Sequence, residues 1–151
     1  MVLFGLVVIA LDQGTKVLVV EKLSDRGPVD LIPGVLDLTL TRNSGAAFSL
    51  GEGSTWILTV VSAAVLLAIL RISRRVSTRG WALALGGIAG GAGGNLCDRI
   101  LRDPGVGTGH VVDWIHLHHW PVFNVADSSI VLAGIAMVLI SGRGAPATES
   151  R

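Results

Sequence analysis

Two aspartates in the last third of the chain have the types and surroundings that acid–base chemistry needs. Asp127 lies in Phe123–Ile140, a stretch without a basic residue, and Asn124 three positions earlier shares its helical face. A carboxylate in such a setting either protonates or shares a proton with a second acid, because desolvation and a neighbouring like charge both raise a carboxyl pKa. The nearest preceding acid, Asp113, interrupts the apolar run Val111-Val-Asp-Trp-Ile115. If the two met at a membrane edge they would form a dyad able to activate water. Spacing alone leaves that open against two unrelated acids.

Other polar residues also stand where polarity is costly. An ionised side chain near the centre of a bilayer costs roughly 2.5–3.5 kcal/mol on insertion scales, so each one needs a partner or a purpose. Asp12 and Lys16 are four apart on one helical face, in the favourable acid-before-base order, and read either as a structural pair or as part of an ion path. Asn95, Asp98 and Arg99 cluster at the end of another apolar stretch, where Arg99 can pair with Asp98 or with something bound. His116, His118 and His119 could hold a metal, but alternate histidines on an interfacial strand more often face water and headgroups, and no metal or cofactor is expected. Cys97 lacks a neighbouring base and reads as a packing residue. Neither a His-Glu-x-x-His helix nor a Gly-x-Ser-x-Gly elbow occurs.

The elements that must position these groups follow from composition. With 50% hydrophobic and 15% charged residues in 151, the expected surroundings are lipid, and a net charge of +1 offers no basic field for nucleic acid. Four stretches approach the roughly 20 apolar residues of a membrane-crossing helix, at about 2–20, 54–71, 80–100 and 123–140. The expected fold is a membrane all-α bundle of four transmembrane helices with a small external β-rich cradle, in one domain over 1–142. The first stretch lacks a basic leader and a small-x-small cleavage site, so it reads as a span and not as a removed signal peptide. Arg71-Ile-Ser-Arg-Arg-Val-Ser-Thr-Arg79 carries four arginines and no acid, which places that loop and both termini in the cytoplasm. The connections 21–53 and 101–122 are then external. Period-two alternation predicts a strand at Leu36–Thr41, after the Pro33-Gly34 turn, and a second at Val112–His118. Glycines 86, 87, 90, 91, 93 and 94 predict close helix packing in the third span, and the polar segment 143–151 reads as a disordered tail.

Five blocks, in order along nearly the whole chain, resemble lipoprotein signal peptidase, also called signal peptidase II: Leu11-Asp-Gln-Gly-Thr-Lys16, Thr41-Arg-Asn-Ser-Gly-Ala-Ala-Phe48, Gly93-Gly-Asn-Leu-Cys-Asp-Arg99, Val111–Ile115 and Phe123-Asn-Val-Ala-Asp-Ser-Ser-Ile130. The resemblance implies an intramembrane aspartyl endopeptidase of the bacterial cytoplasmic membrane, its active site at the outer face. It implies diacylglyceryl-modified prolipoproteins as substrates, cut before the lipidated cysteine, in an enzyme surrounded by membrane lipids, monomeric and inhibited by globomycin-like cyclic peptides. Matched to the family's pattern, Asp113 and Asp127 are the catalytic dyad. Asn43, Asn95, Arg99 and Asn124 hold substrate or shape the site, and Asp12, Lys16 and Asp98 are structural. Trp114 stands where phenylalanine is frequent in the family, Cys97 occupies a variable position, and the first span lacks the usual basic flank. Two rival readings remain: a small ion or proton transporter running through Asp12, Lys16, Asp98 and Asp127, and a structural subunit docking partner helices on its glycines. The first is opposed by polar residues crowded at one face, and the second leaves the external acids without a role.

Overall fold

In the computed structural model, residues 1–45 and 55–143 are described. Their elements run α1 (Val2–Leu23), β1 (Val29–Ile32), β2 (Leu36–Asn43), α2 (Thr55–Ser73), α3 (Arg79–Leu101), β3 (Val111–Leu117) and α4 (Val125–Gly142). Residues 46–53 of the expected external connection, Ser54 of the second expected span, the Ala-Ala-Phe end of the second motif block, and 144–151 of the expected tail lie outside the described residues.

The helices α1, α2 and α4 are each long and apolar enough to cross a membrane. Their outward faces carry Leu3, Leu67, Leu132 and Val138, all well exposed. An apolar surface of that extent is unfavourable in water and matches lipid chains, so the protein is a membrane protein. The expected boundaries shift slightly. Helix α1 continues past Val20 to Leu23, since Glu21 and Lys22 are good helix formers. Helix α4 starts at Val125 and not at Phe123, because Asn124 takes the extended N-cap position.

Helix α3 is the packing centre, with α1, α2 and α4 all against it. Its buried residues are mostly glycine and alanine, from Ala84 through Gly94. A side chain on Gly90 would place its Cβ 2.7 Å from the Gly5 carbonyl of α1, and one on Gly91 would place it 2.5 Å from the Ala126 carbonyl of α4. Backbone therefore meets backbone on two sides of α3, the close approach that small residues permit between helices in lipid. The same glycines lower the helix's own apolarity, which sets it apart from its three neighbours.

The cradle is a three-stranded antiparallel sheet in the order β1-β2-β3. Strand β2 extends its sequence expectation to Asn43, and β3 is shifted by one residue, starting at Val111 and ending at Leu117 so that His118 lies in the turn beyond it. Strand β1 was not anticipated: its four residues are all exposed, and without a buried face they show no alternation to read. In the β2–β3 register Asp37 lies opposite His116 and Thr41 opposite Asp113, with an irregularity between Leu38 and Thr41. The sheet touches α1 and α3, so it sits on one end of the bundle.

The glycine contacts generate a test. Gly91→Ala should lower the unfolding temperature in detergent, since α4 must shift to admit the methyl group, at a cost of about 1–3 kcal/mol. Gly14→Ala, with nothing within 4 Å of the added carbon, should leave it unchanged or raise it. Equal behaviour of the two variants would remove the close-packing account of α3.

Candidate active site

The site is built outward from Lys16, which has no exposed surface. Its ammonium lies 2.7 Å from Asp12 Oδ2 and 2.8 Å from Asp98 Oδ2, and donates to Asn95 Oδ1 at 3.0 Å. Those three bonds use all three of its donors. Asp98 also accepts from Arg102 Nε at 2.7 Å, Gln13 Nε2 at 3.1 Å and the Val112 backbone N–H at 3.1 Å, the last of which ties α3 to β3. Asp12 accepts the Ala126 backbone N–H at 3.0 Å, an otherwise free donor in the first turn of α4. A negative group is favoured there by the helix dipole. The pair that sequence read as local thus links α1, α3, α4 and β3.

Asn95 and Asn124 carry this network to the two candidate acids. The Asn95 amide donates to Asp127 Oδ1 at 2.8 Å while its oxygen accepts from Lys16 and, at 3.2 Å, from Asn124 Nδ2. Asn124 caps α4 reciprocally: its Oδ1 accepts from the Asp127 N–H at 2.9 Å, and its own N–H donates to Asp127 Oδ2 at 3.2 Å. Its Nδ2 also donates to Asp113 Oδ1 at 2.7 Å. One buried asparagine therefore holds both carboxylates, which the sequence could only place near each other. The remaining Asp113 oxygen accepts from Asn43 Nδ2 at 2.8 Å, and Asn43 is itself held by the Gly45 N–H at 2.8 Å. Gly45 adopts φ +89, which lets the chain turn sharply after β2.

Asp113 is 2% exposed, and its burial is the main reason its carboxyl is raised from 3.8 to about 6. The Asp127 charge acts in the same direction, while the hydrogen bonds from Asn43 and Asn124 favour the ionised form and oppose it. Arg99 is a buried cation within electrostatic reach of both acids, as Lys16 is of Asp113. It is 7% exposed, feels the charges of Asp113, Asp98 and Asp127, and its Nη1 has no hydrogen-bond acceptor among the described residues. The alternative left open by sequence, a pairing of Arg99 with Asp98, is not what forms: Lys16 and Arg102 take Asp98 instead. The end of α3 that presents Arg99 is fixed by its loop, in which the Gly107 and Gly109 N–H groups donate to the Arg99 carbonyl at 2.8 and 3.0 Å.

All six site residues expected from sequence come together: Asn43, Asn95, Arg99, Asp113, Asn124 and Asp127. Within the six, the polar side-chain atoms of Asn95 and Asn124 are taken up inside the protein. Gln13 and Arg102 were missed. Arg102 was legible as a base four residues after Asp98. Gln13 was not, because two of its three partners, Gly94 and Asp98, are 81 and 85 residues away. His116 and His118 join Asp37, and His119 is not part of that group.

Residues 4–142 match the family model described as signal peptidase (SPase) II. The lipoprotein signal peptidase of Streptomyces coelicolor is 50% identical over 145 residues, covering 95% of this chain and 71% of that protein. The lipoprotein signal peptidase of Rhodococcus jostii is 49% identical over 135 residues, covering 89% of this chain and 68% of that protein. A solved structure described as a bacterial membrane enzyme superposes with a TM-score of 0.81 at 28% identity, covering 92% of this chain and 90% of that one.

The setting of Asp113 predicts its titration. A carboxyl signal followed by infrared or carbon NMR in detergent should titrate near pH 6. Asp127→Asn removes a like charge and should lower that midpoint, while Asn43→Ala removes a donor to the ionised form and should raise it. The folded protein holds this proton more tightly than the unfolded chain. Its contribution to stability should therefore fall as the pH rises from about 3.8 to about 6. A rise in Asp127→Asn or a fall in Asn43→Ala would overturn this electrostatic account.

Proposed function

The chain belongs to the signal peptidase II family, and from that premise we propose that it removes signal peptides from diacylglyceryl-modified prolipoproteins, cutting before the lipidated cysteine with Asp113 and Asp127 as an aspartyl dyad. The observation that carries this reading is the grip of Asn124 on both carboxylates, at 2.7 Å to Asp113 and through the reciprocal cap to Asp127.

Two carboxyls sharing one proton hydrolyse a peptide without a covalent intermediate. The ionised member takes a proton from water as that water attacks the scissile carbonyl carbon, and the protonated member hydrogen-bonds the carbonyl oxygen. The tetrahedral intermediate collapses as a proton passes to the leaving nitrogen. Asn95 and Asn124 hold the acids in register. Arg99, with a free buried donor, binds a substrate carbonyl beside them, and Asn43 orients Asp113. All of these groups come from one chain, which fits a monomer. The transporter reading has less support, because Asp12, Lys16 and Asp98 direct their polar atoms at one another and at Gln13, Arg102, Asn95 and the backbone.

In the proposed arrangement α3 also crosses the bilayer, giving four spans in a single domain over 1–142. Its 23 residues correspond to roughly 34 Å of helix, enough for the hydrocarbon core, and its glycines face protein instead of lipid. The arginines at 71, 74, 75 and 79 mark the cytoplasmic side of a bacterial cytoplasmic membrane, with both termini on that side and the sheet and acids at the outer face.

Asp113→Asn and Asp127→Asn should each lower cleavage of a lipidated prolipoprotein by purified protein about 10²–10⁴-fold, with insertion and folding retained. A folded variant with near wild-type turnover would remove its residue from the dyad. For orientation, Thr78→Cys and Ser44→Cys are made in a Cys97→Ser background and treated with an impermeant thiol reagent from outside the cell. Ser44→Cys should label and Thr78→Cys should not. The reverse pattern would invert the topology.

A further inference from the structure

His116 lies near the end of β3 directly opposite Asp37 on β2, and His118 follows in the turn just past the strand, where its imidazole also reaches Asp37. The Asp37 side chain is 7% exposed. His116 Nδ1 lies 3.0 and 3.1 Å from its two oxygens, and His118 Nε2 lies 3.0 Å from Oδ1. The two rings stack with centroids 5.2 Å apart. Among the described residues the ion-pair partners of Asp37 are these two imidazoles. The mechanism proposed for the acid pair makes no use of this group.

We propose that Asp37, His116 and His118 form a zinc site that clips β2 to β3. One ligand atom from each residue lies within 4.8 Å of the others. Metal–ligand bonds of about 2.0–2.1 Å in a tetrahedron set neighbouring ligand atoms about 3.3 Å apart, so the observed N···O separations need open by only a few tenths of an ångström. Each imidazole binds as the neutral ring, with its proton carried on the other nitrogen. Two imidazoles and a carboxylate form a borderline donor set, suited to zinc and poor for magnesium or calcium, which require mostly oxygen. The histidine side chains are 33% and 39% exposed, leaving a path for the ion and room for a water as fourth ligand. The clip joins the two strands that bear Asn43 and Asp113, and so bears on the stability of the cradle and not on bond cleavage.

The test uses untagged full-length protein in detergent, stripped with chelator and titrated with zinc chloride by calorimetry. One zinc per chain should bind at micromolar or tighter affinity and raise the unfolding temperature. His116→Gln, His118→Gln and Asp37→Asn should each weaken binding about tenfold or more, whereas His119→Gln and Asp113→Asn should bind as the unaltered protein does. Cobalt added to the unaltered protein should give the strong visible absorption of a four-coordinate site, a reading that needs no variant to fold. Absence of saturable binding, binding that survives in the His116→Gln/His118→Gln double variant, or binding lost in Asp113→Asn would each overturn the proposal. Because the readout is metal binding, it stands or falls separately from the peptidase assignment.

Discussion

The rest of the molecule depends on a lysine ammonium buried without exposed surface. Removing an ion from water costs several kcal/mol, and the cost is met only if its partners are well placed and all its donors are used. Lys16 meets that condition with Asp12, Asp98 and Asn95, drawn from two helices. Each partner passes the constraint on: Asp12 to the start of α4, Asp98 to β3, and Asn95 to Asp127. Taking away one member of such a group leaves an uncompensated charge in a dry interior, at a cost of about 3–5 kcal/mol in comparable cases. The relative positions of three helices and one strand are therefore set by one charge-balanced cluster.

That cluster requires close approach, and the glycines of α3 allow it. A Cβ on Gly94 would fall 2.6 Å from Asp12 Oδ2, so even alanine there would intrude on the carboxylate. Hydrophobic association contributes little between helices in lipid, and packing and polar contacts carry the assembly. The glycine faces and the Lys16 cluster are two parts of one solution: the first brings backbones within reach, and the second fixes their register.

The sheet supplies what the bundle cannot. Asp113 reaches Asn124 because β3 is held by Asp98 at Val112, by β2 along its length and by the Ile115–Phe123 bridge just before α4. An acid on a strand and an acid in the first turn of a helix are thereby joined through one asparagine, and burial gives Asp113 a raised carboxyl while Asn43 and Asn124 limit the rise. The proposed chemistry rests on this balance of desolvation and hydrogen bonding.

Much of this was legible in the residues. Apolar runs gave the helices, alternation gave β2 and β3, and the ordered blocks from Leu11 to Ile130 pointed to the family and to six site residues. These are local properties: the period of a helix or strand, the cost of a charge in lipid, and the identity of a short motif can each be read within a few positions. What the tertiary structure alone decided is partnership. Asp98 chose Lys16 and Arg102 over Arg99, Asn124 turned out to hold both acids, and Asp37 met His116 across a register that no spacing reveals. Each outcome depends on which of several competing donors the packed backbones bring within bonding distance of a given acceptor. That competition is settled by distances between residues up to 114 positions apart, which a linear sequence does not contain.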